Sequence, residues 1–320
     1  MLSYKNNRML EEACKAHFKP KLIIQILLFV AVFAVGNFAA SMLMTGPIII
    51  GMFANPEFLS NILSGNAVDS VTATMSVMEK PWIMLVSLFV TAATTVICLI
   101  YCCKIEKRSM VSVGFKKSGW LRSYLKGYVI GIALLLVCAL VLWLMGDLDF
   151  AFADNVPIVY ILMFFAGFVI QGMSEEVLVR GYFMVSLANR CHVAIAVGIS
   201  SVAFALLHLS NPGISLLALL NLTLYGVFMA VYVLRTDNLW GACAIHSAWN
   251  FAQGNLVGIS VSGNAPMPTV AIMNPIGESA LFHGGDFGLE GGLIVTIVIL
   301  AAILLTVFLP KKAKAVETEI

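Results

Sequence analysis

Residues 157–187 read PIVYILMFFAGFVIQGMSEEVLVRGYFMVSL. The run is apolar enough for hydrocarbon, yet it carries Glu175, Glu176 and Arg180 and exceeds the roughly 20 residues that a perpendicular membrane helix needs. It is therefore expected to tilt or to extend beyond the bilayer. Hydrocarbon offers no partner to an open backbone, so each such run must form a helix. Seven more stretches of comparable character flank it, giving 22–50, 81–103, 127–146, 157–187, 193–211, 214–234, 238–257 and 290–309.

The whole chain agrees with this reading. Of its 320 residues, 60% are hydrophobic and 11% charged, where a soluble domain has about a quarter of its residues charged. A net charge of +2, with no basic run interleaved with aromatics, excludes nucleic acid as a partner. The lipid bilayer is the partner that the composition implies.

The distribution of charge orients the bundle. All but Lys80 of the nineteen lysines and arginines fall before the first stretch, in the second connection, towards the end of the fourth stretch, after the sixth, or after the eighth. The other connections carry Glu57, Asp69, Glu79, Asp147, Asp149, Asp154, Glu278 and Asp286. By the positive-inside rule both termini are cytoplasmic. The fold class is all-α, a polytopic membrane bundle of about eight transmembrane helices. It divides into an N-terminal segment (1–21), two spans with a basic interfacial segment (22–126), a polar-bearing core (127–257), an outer loop (258–289), and a final span with a basic tail (290–320).

Smaller features follow. The apolar segment after Lys21 lacks a small-residue cleavage site and reads as a retained first span. The stretch Arg108–Lys126, with Val111, Val113, Phe115, Trp120 and Leu121 among basic residues, resembles an interfacial helix. The loop from about Gly258 to Gly288 is rich in Gly, Pro, Asn and Ser, and either covers the outer mouth or is a spacer. The seven cysteines show no paired C-x-x-C spacing and mostly lie in apolar stretches, as small hydrophobes do.

Ionisable groups inside the hydrocarbon are costly and mark function unless they are paired for structure. Three helices carry them. In Ser174-Glu175-Glu176-Val177-Leu178-Val179-Arg180, Glu176 and Arg180 share a face and can pair. Glu175, rotated about 100° from Glu176, points to a different neighbour. A purely structural charge cluster is the plain alternative. Phe204 and His208 form the second group, where a lone histidine at a helix end is often only interfacial. His246 and Asn250, four apart in the seventh stretch, form the third, with an interhelical hydrogen bond as the structural alternative. Asn221, with Tyr225 and Gly226 one turn on, reads as packing glue that could line the same cavity. His17, His192 and His283 lie at interfaces or in loops and receive no role.

Taken in order, Glu175-Glu176-x-x-x-Arg180, Phe204-x-x-x-His208 and His246-x-x-x-Asn250 resemble the signature of the CPBP family, the CAAX prenyl proteases and bacteriocin-processing enzymes also called Abi proteins. The resemblance covers about residues 105 to 256, including Val113-Gly114-Phe115 before the core. It implies an intramembrane endopeptidase, with Glu175, Glu176, Arg180, His208, His246 and Asn250 as its site. Relatives are usually described as metalloproteases; some cleave prenylated C-terminal tails, and many bacterial ones are linked to bacteriocin maturation or self-immunity. A membrane-associated peptide or protein is the implied substrate, and a bacterial plasma membrane the expected location.

The residues allow two chemistries. In one, Glu175 is the general base, Glu176 pairs with Arg180, His246 and Asn250 hold the oxyanion, and His208 orients the water or donates a proton. In the other, Glu175, His208 and His246 ligate zinc or another divalent metal, with Glu176 as base; the chain has no H-E-x-x-H. Cys243, Ser174 and Ser247 lack the partners of a nucleophile. A proton-coupled secondary transporter and a non-catalytic scaffold or immunity protein are the rival functions. The absence of evident repeat symmetry weakens the transporter.

Overall fold

The computed structural model describes residues 7–64, 67–265, 267–276 and 280–308. Lys5, Glu278 and the basic tail Lys311, Lys312 and Lys314 lie outside the described residues. Helices dominate, and the eight apolar stretches each form one. Five of them are long and apolar enough to cross a membrane: Leu22–Phe53, Pro81–Ile105, Trp120–Leu144, Ile158–Ala188 and Leu216–Thr236. They are the first, second, third, fourth and sixth helices of the bundle. The fifth, Val193–Leu206, and the eighth, Leu293–Phe308, are shorter. The seventh runs over Trp240–Phe251 and continues as a π-helix through Ala252–Leu256.

The outer surface is what a bilayer requires. Leu27, Phe38, Val129, Leu144, Leu162 and Leu304 are all exposed, on a scale that no soluble monomer tolerates. The seventh helix is the opposite case, with every residue from Gly241 to Asn255 buried. The third and fourth helices clasp it closely. A Cβ on Gly131 would stand 2.4 Å from Ile245 O, and one on Gly172 would stand 2.6 Å from Ser247 Oγ. Small residues let backbones approach where lipid supplies no hydrophobic drive.

The chain alternates between two ends. At one lie the N-terminal helix Arg8–Ala13, the connection 106–119, Arg190 and the turn at Asp237. Arg108 is buried there among Glu106 Oε2 (3.2 Å), Ser186 Oγ (2.9 Å), Gly181 O (2.8 Å) and Ser112 O (2.9 Å). Asn7 Nδ2 donates to Leu234 O at 2.9 Å, and Asp237 accepts from Met9 N and pairs with Lys116. The expected interfacial helix is thus corrected. Only Met110–Val113 is helical before Trp120, because Gly114 and Gly119 both take positive φ and break the run. Arg108, Ser112 and Val113 are buried in protein rather than laid on lipid.

At the other end the long first connection carries two further helices, Pro56–Leu63 and Ala67–Met78. The strand Ala151–Phe152 pairs antiparallel with Ala271–Ile272, tying the third connection to the last one. Within its described residues, the 258–288 loop is therefore built into the fold rather than a spacer. Asn211 Nδ2 donates to Ser262 O at 2.8 Å, and Gly263 N to Phe287 O at 2.9 Å. Gly263, at φ 82°, presses against the Pro212 backbone where a Cβ would meet O at 2.1 Å.

Candidate active site

The fourth helix is α-helical through Glu176 and then widens into a π-helix over Val177–Met184 before its last turn. The seventh does the same just after Asn250. Such wide turns are rare and concentrate at functional sites. Here they adjoin the polar groups that the sequence singles out. Cross-ties hold the fourth helix in place: Ser174 Oγ donates to Thr91 O at 2.9 Å, and Gln25 Nε2 to Tyr182 Oη at 2.9 Å.

Glu176 and Arg180 are both fully buried and pair at 2.9 Å. The same carboxylate oxygen, Oε1, lies 2.9 Å from His246 Nδ1. Arg180 also places its guanidinium 4.4 Å over the Phe204 ring, a cation–π contact on a desolvated cation. A buried ion pair gains little net stability. Its effect here is positional, since an ionised Glu176 takes the Nδ1 proton of His246 as a hydrogen bond and turns Nε2 outward as an acceptor. His208 is oriented by the same means. Its Nδ1 faces Phe204 O at 3.0 Å, and a carbonyl can only accept, so Nδ1 carries the proton.

Both Nε2 atoms face Glu175. Its Oε2 stands 3.7 Å from His246 Nε2 and 3.9 Å from His208 Nε2. That oxygen is buried and has no hydrogen-bond partner among the described residues. Its other oxygen, Oε1, accepts from Gln171 Nε2, whose own Oε1 accepts from Asn250 Nδ2 at 3.0 Å. Each glutamate keeps one buried oxygen without a partner among the described residues; they divide by their surroundings, Glu176 Oε1 being shared by Arg180 and His246 Nδ1 while Glu175 Oε2 stands between two imidazole Nε2 atoms. All six candidate residues come together. Asn250 reaches the cluster through Gln171, and one N–H of its carboxamide is engaged there rather than in an open oxyanion position.

Gln171 is the residue that the motif reading missed. Its spacing of four before Glu175 was the available signal. Asn221 donates to Glu290 O and Gly292 O, each at 2.8 Å, and accepts from Thr296 Oγ1, so it is packing glue. Tyr225 is different: it lies edge-on to His246 at 5.7 Å, and its buried hydroxyl has no partner among the described residues. Ser174 and Ser247 spend their hydroxyls on backbone carbonyls, and Cys243 is fully buried.

These side chains floor a cavity of about 810 Å³. Glu175, His208, His246 and Asn250 line it, together with Gln171 and Tyr225. A metal site would need three suitable donors gathered round one point. Glu175 Oε2 and the two Nε2 atoms have the right chemistry, but no group of three or more His, Cys, Asp or Glu among the described residues is arranged to hold an ion. As placed, the trio does not fit a metal.

Fold and site together define a polytopic α-helical membrane protein with a buried glutamate–histidine centre. Residues 157–252, which contain all six candidate residues, match the family model described as Rce1-like, type II CAAX prenyl endopeptidase. This is the CAAX-type membrane protease family that the motifs resemble, and it ties the chain to protease activity in general terms. No curated protein and no solved structure matches the chain.

Proposed function

We propose that this protein is an intramembrane endopeptidase that hydrolyses a peptide bond of a membrane-associated polypeptide with water activated by Glu175, in the plasma membrane of a bacterial cell. The observation that carries this reading is the free Oε2 of Glu175, set at the floor of the cavity between two outward-turned Nε2 atoms. Gaps of 3.7 and 3.9 Å are too long for direct hydrogen bonds and suit a bridging water.

Glu175 takes a proton from that water as its oxygen attacks the carbonyl carbon. The water's other O–H donates to one of the two outward-turned Nε2 atoms, of His246 or of His208, which orients it, since a water has only two protons and Glu175 takes the first. The oxyanion that forms accepts from the second N–H of Asn250 and from the Tyr225 hydroxyl, donors already fixed in a site away from bulk water. When the C–N bond breaks, Glu175 passes its proton to the departing amine. Glu176 and Arg180 touch no reacting atom; they hold His246 in place.

The test is cleavage of a quenched peptide library in proteoliposomes by wild type, Glu175→Gln and His246→Ala, with and without chelator. Wild type cleaves, and Glu175→Gln falls by at least the 10²-fold or so expected for loss of a general base, with its melting temperature retained. Chelator has no effect if the side chains act alone. A Glu175→Gln protein as active as wild type, or a wild type that cleaves nothing, overturns the proposal.

A further inference from the structure

The cavity does not cross the protein. Leu178, Tyr225 and His246, well inside their helices, line its floor, and its rim includes the exposed Glu79, Pro212, Asn264 and Asp286. All the rim residues belong to the end of the bundle opposite Arg108 and Asp237. Among the described residues, none from the connection 106–119 or from the turn at Asp237 contributes to the lining.

The short fifth helix explains why the funnel lies on that side. Its 14 residues span about 21 Å at 1.5 Å each, some 9 Å less than a hydrocarbon core of about 30 Å. Starting from the basic end at His192, the helix stops at Leu206, and Leu207 to Ser215 then form turns at membrane depth. Backbone of that kind is tolerated only where protein buries it or a water-filled cavity borders it. His208, Asn211 and Pro212 line the cavity from this segment. The basic end is sealed instead by Arg108, Tyr182 and the buried turns around them.

Charge narrows what can enter. Among the described residues, every charged one in the lining is acidic, Glu79, Glu175, Asp286 and Glu290, and no lysine or arginine lines the cavity, although Lys80 follows Glu79. Independently, the buried Tyr225 hydroxyl lines the same cavity without a partner among the described residues, as a site awaiting a hydrogen-bonding ligand does.

The geometry points to a substrate that enters from the acidic end of the bundle, the extracytoplasmic side in the orientation set by the lysines and arginines, and that carries basic residues beside the cleaved bond. This deepens the endopeptidase reading and rests on it. It assigns Glu79 and Asp286 as specificity determinants at the rim. The substrate class is a translocated cationic peptide segment, as opposed to a cytoplasmic tail, which would meet the sealed end.

The experiment compares three preparations of the full-length protein: detergent-solubilised, in right-side-out vesicles, and in everted vesicles. Impermeant maleimide labelling of Asn264→Cys and Lys117→Cys shows which end faces out. The probes are membrane-impermeant quenched peptides with either lysines or serines flanking the bond. Expected is cleavage in detergent and only in the vesicles whose acidic end faces the added peptide, with the lysine peptide favoured. Cleavage only from the basic end overturns the inference while leaving the endopeptidase intact. No cleavage even in detergent ends the endopeptidase reading, and this inference with it. Glu79→Lys combined with Asp286→Lys is expected to cut the ratio of kcat/KM for lysine over serine peptide about tenfold, the low end of electrostatic steering. Glu79→Gln with Asp286→Asn gives the same direction should the lysine pair misfold, and an unchanged ratio overturns the role of the rim.

Discussion

The two ends of the bundle treat charge in opposite ways. At the basic end, charged groups are drawn into protein and matched: Arg108 is 4% exposed and meets Glu106, Ser112, Gly181 and Ser186, while Asp237 accepts from Met9 N and pairs with Lys116. At the acidic end, Glu79 and Asp286 stand at the rim of a cavity whose floor holds a carboxylate oxygen without a partner. The difference teaches where order is needed. One end fixes the fourth helix, since Arg108 grips the Gly181 carbonyl one residue beyond Arg180. The other end leaves polar atoms free for a ligand.

Two arginine variants break this comparison and should have the largest effects. Arg180→Met leaves Glu176 buried and unpaired, a loss of about 3–5 kcal/mol, read as failure to purify as a monodisperse species or as a collapse in melting temperature. Arg108→Met strands Glu106 in the same way, and a similar loss is expected. Their rescue separates them. Glu106→Gln added to Arg108→Met restores stability and cleavage together. Glu176→Gln added to Arg180→Met restores stability without cleavage, because His246 loses the charge that orients it. Cleavage by that second double variant would make the Glu176–Arg180 pair structural, like its counterpart.

Much of this architecture was legible in the sequence, and for a simple reason. Eight apolar runs and the segregation of lysine and arginine are long-range signals of the bilayer, which acts on every span at once. The polar groups in the fourth, fifth and seventh apolar runs stood out because hydrocarbon makes each of them costly. What stayed hidden depends on tertiary placement. The fifth run reads as apolar to 211, yet its helix stops at Leu206, where turns line a cavity. Arg108 reads as a surface cation because its buried partners, Ser186 and Gly181, lie more than 70 residues away. The π-helices after Glu176 and Asn250 have no composition signal at all.

Gln171 sharpens the comparison at intermediate size. It joins Asn250 to Glu175 Oε1 and so fixes the general base without touching the reacting atoms. Gln171→Leu is expected to lower kcat about tenfold, equivalent to about 1.4 kcal/mol of barrier, with KM and melting temperature nearly unchanged. A fall in melting temperature in step with kcat would make Gln171 a packing residue.

The smallest effect is expected back at the basic end, on its surface. Glu12 pairs with Lys15 and lies beside Ser109, and the Lys15 hydrogen bond holds its carboxyl below the usual carboxylate range. A group whose folded pKa is depressed stabilises above its unfolded pKa and loses that contribution as pH falls through the folded one. The pair lies at the surface, however, its Lys15 side chain 70% exposed, and solvent and salt screen such pairs to near nothing. Glu12→Gln should therefore leave the melting temperature unchanged at pH 7 and at pH 4, at low and at high salt. A clear loss at pH 7 that vanishes in high salt would mean that the N-terminal helix is held by its surface charge, and that the seal at this end extends beyond the buried contacts of Asn7, Met9 and Arg108.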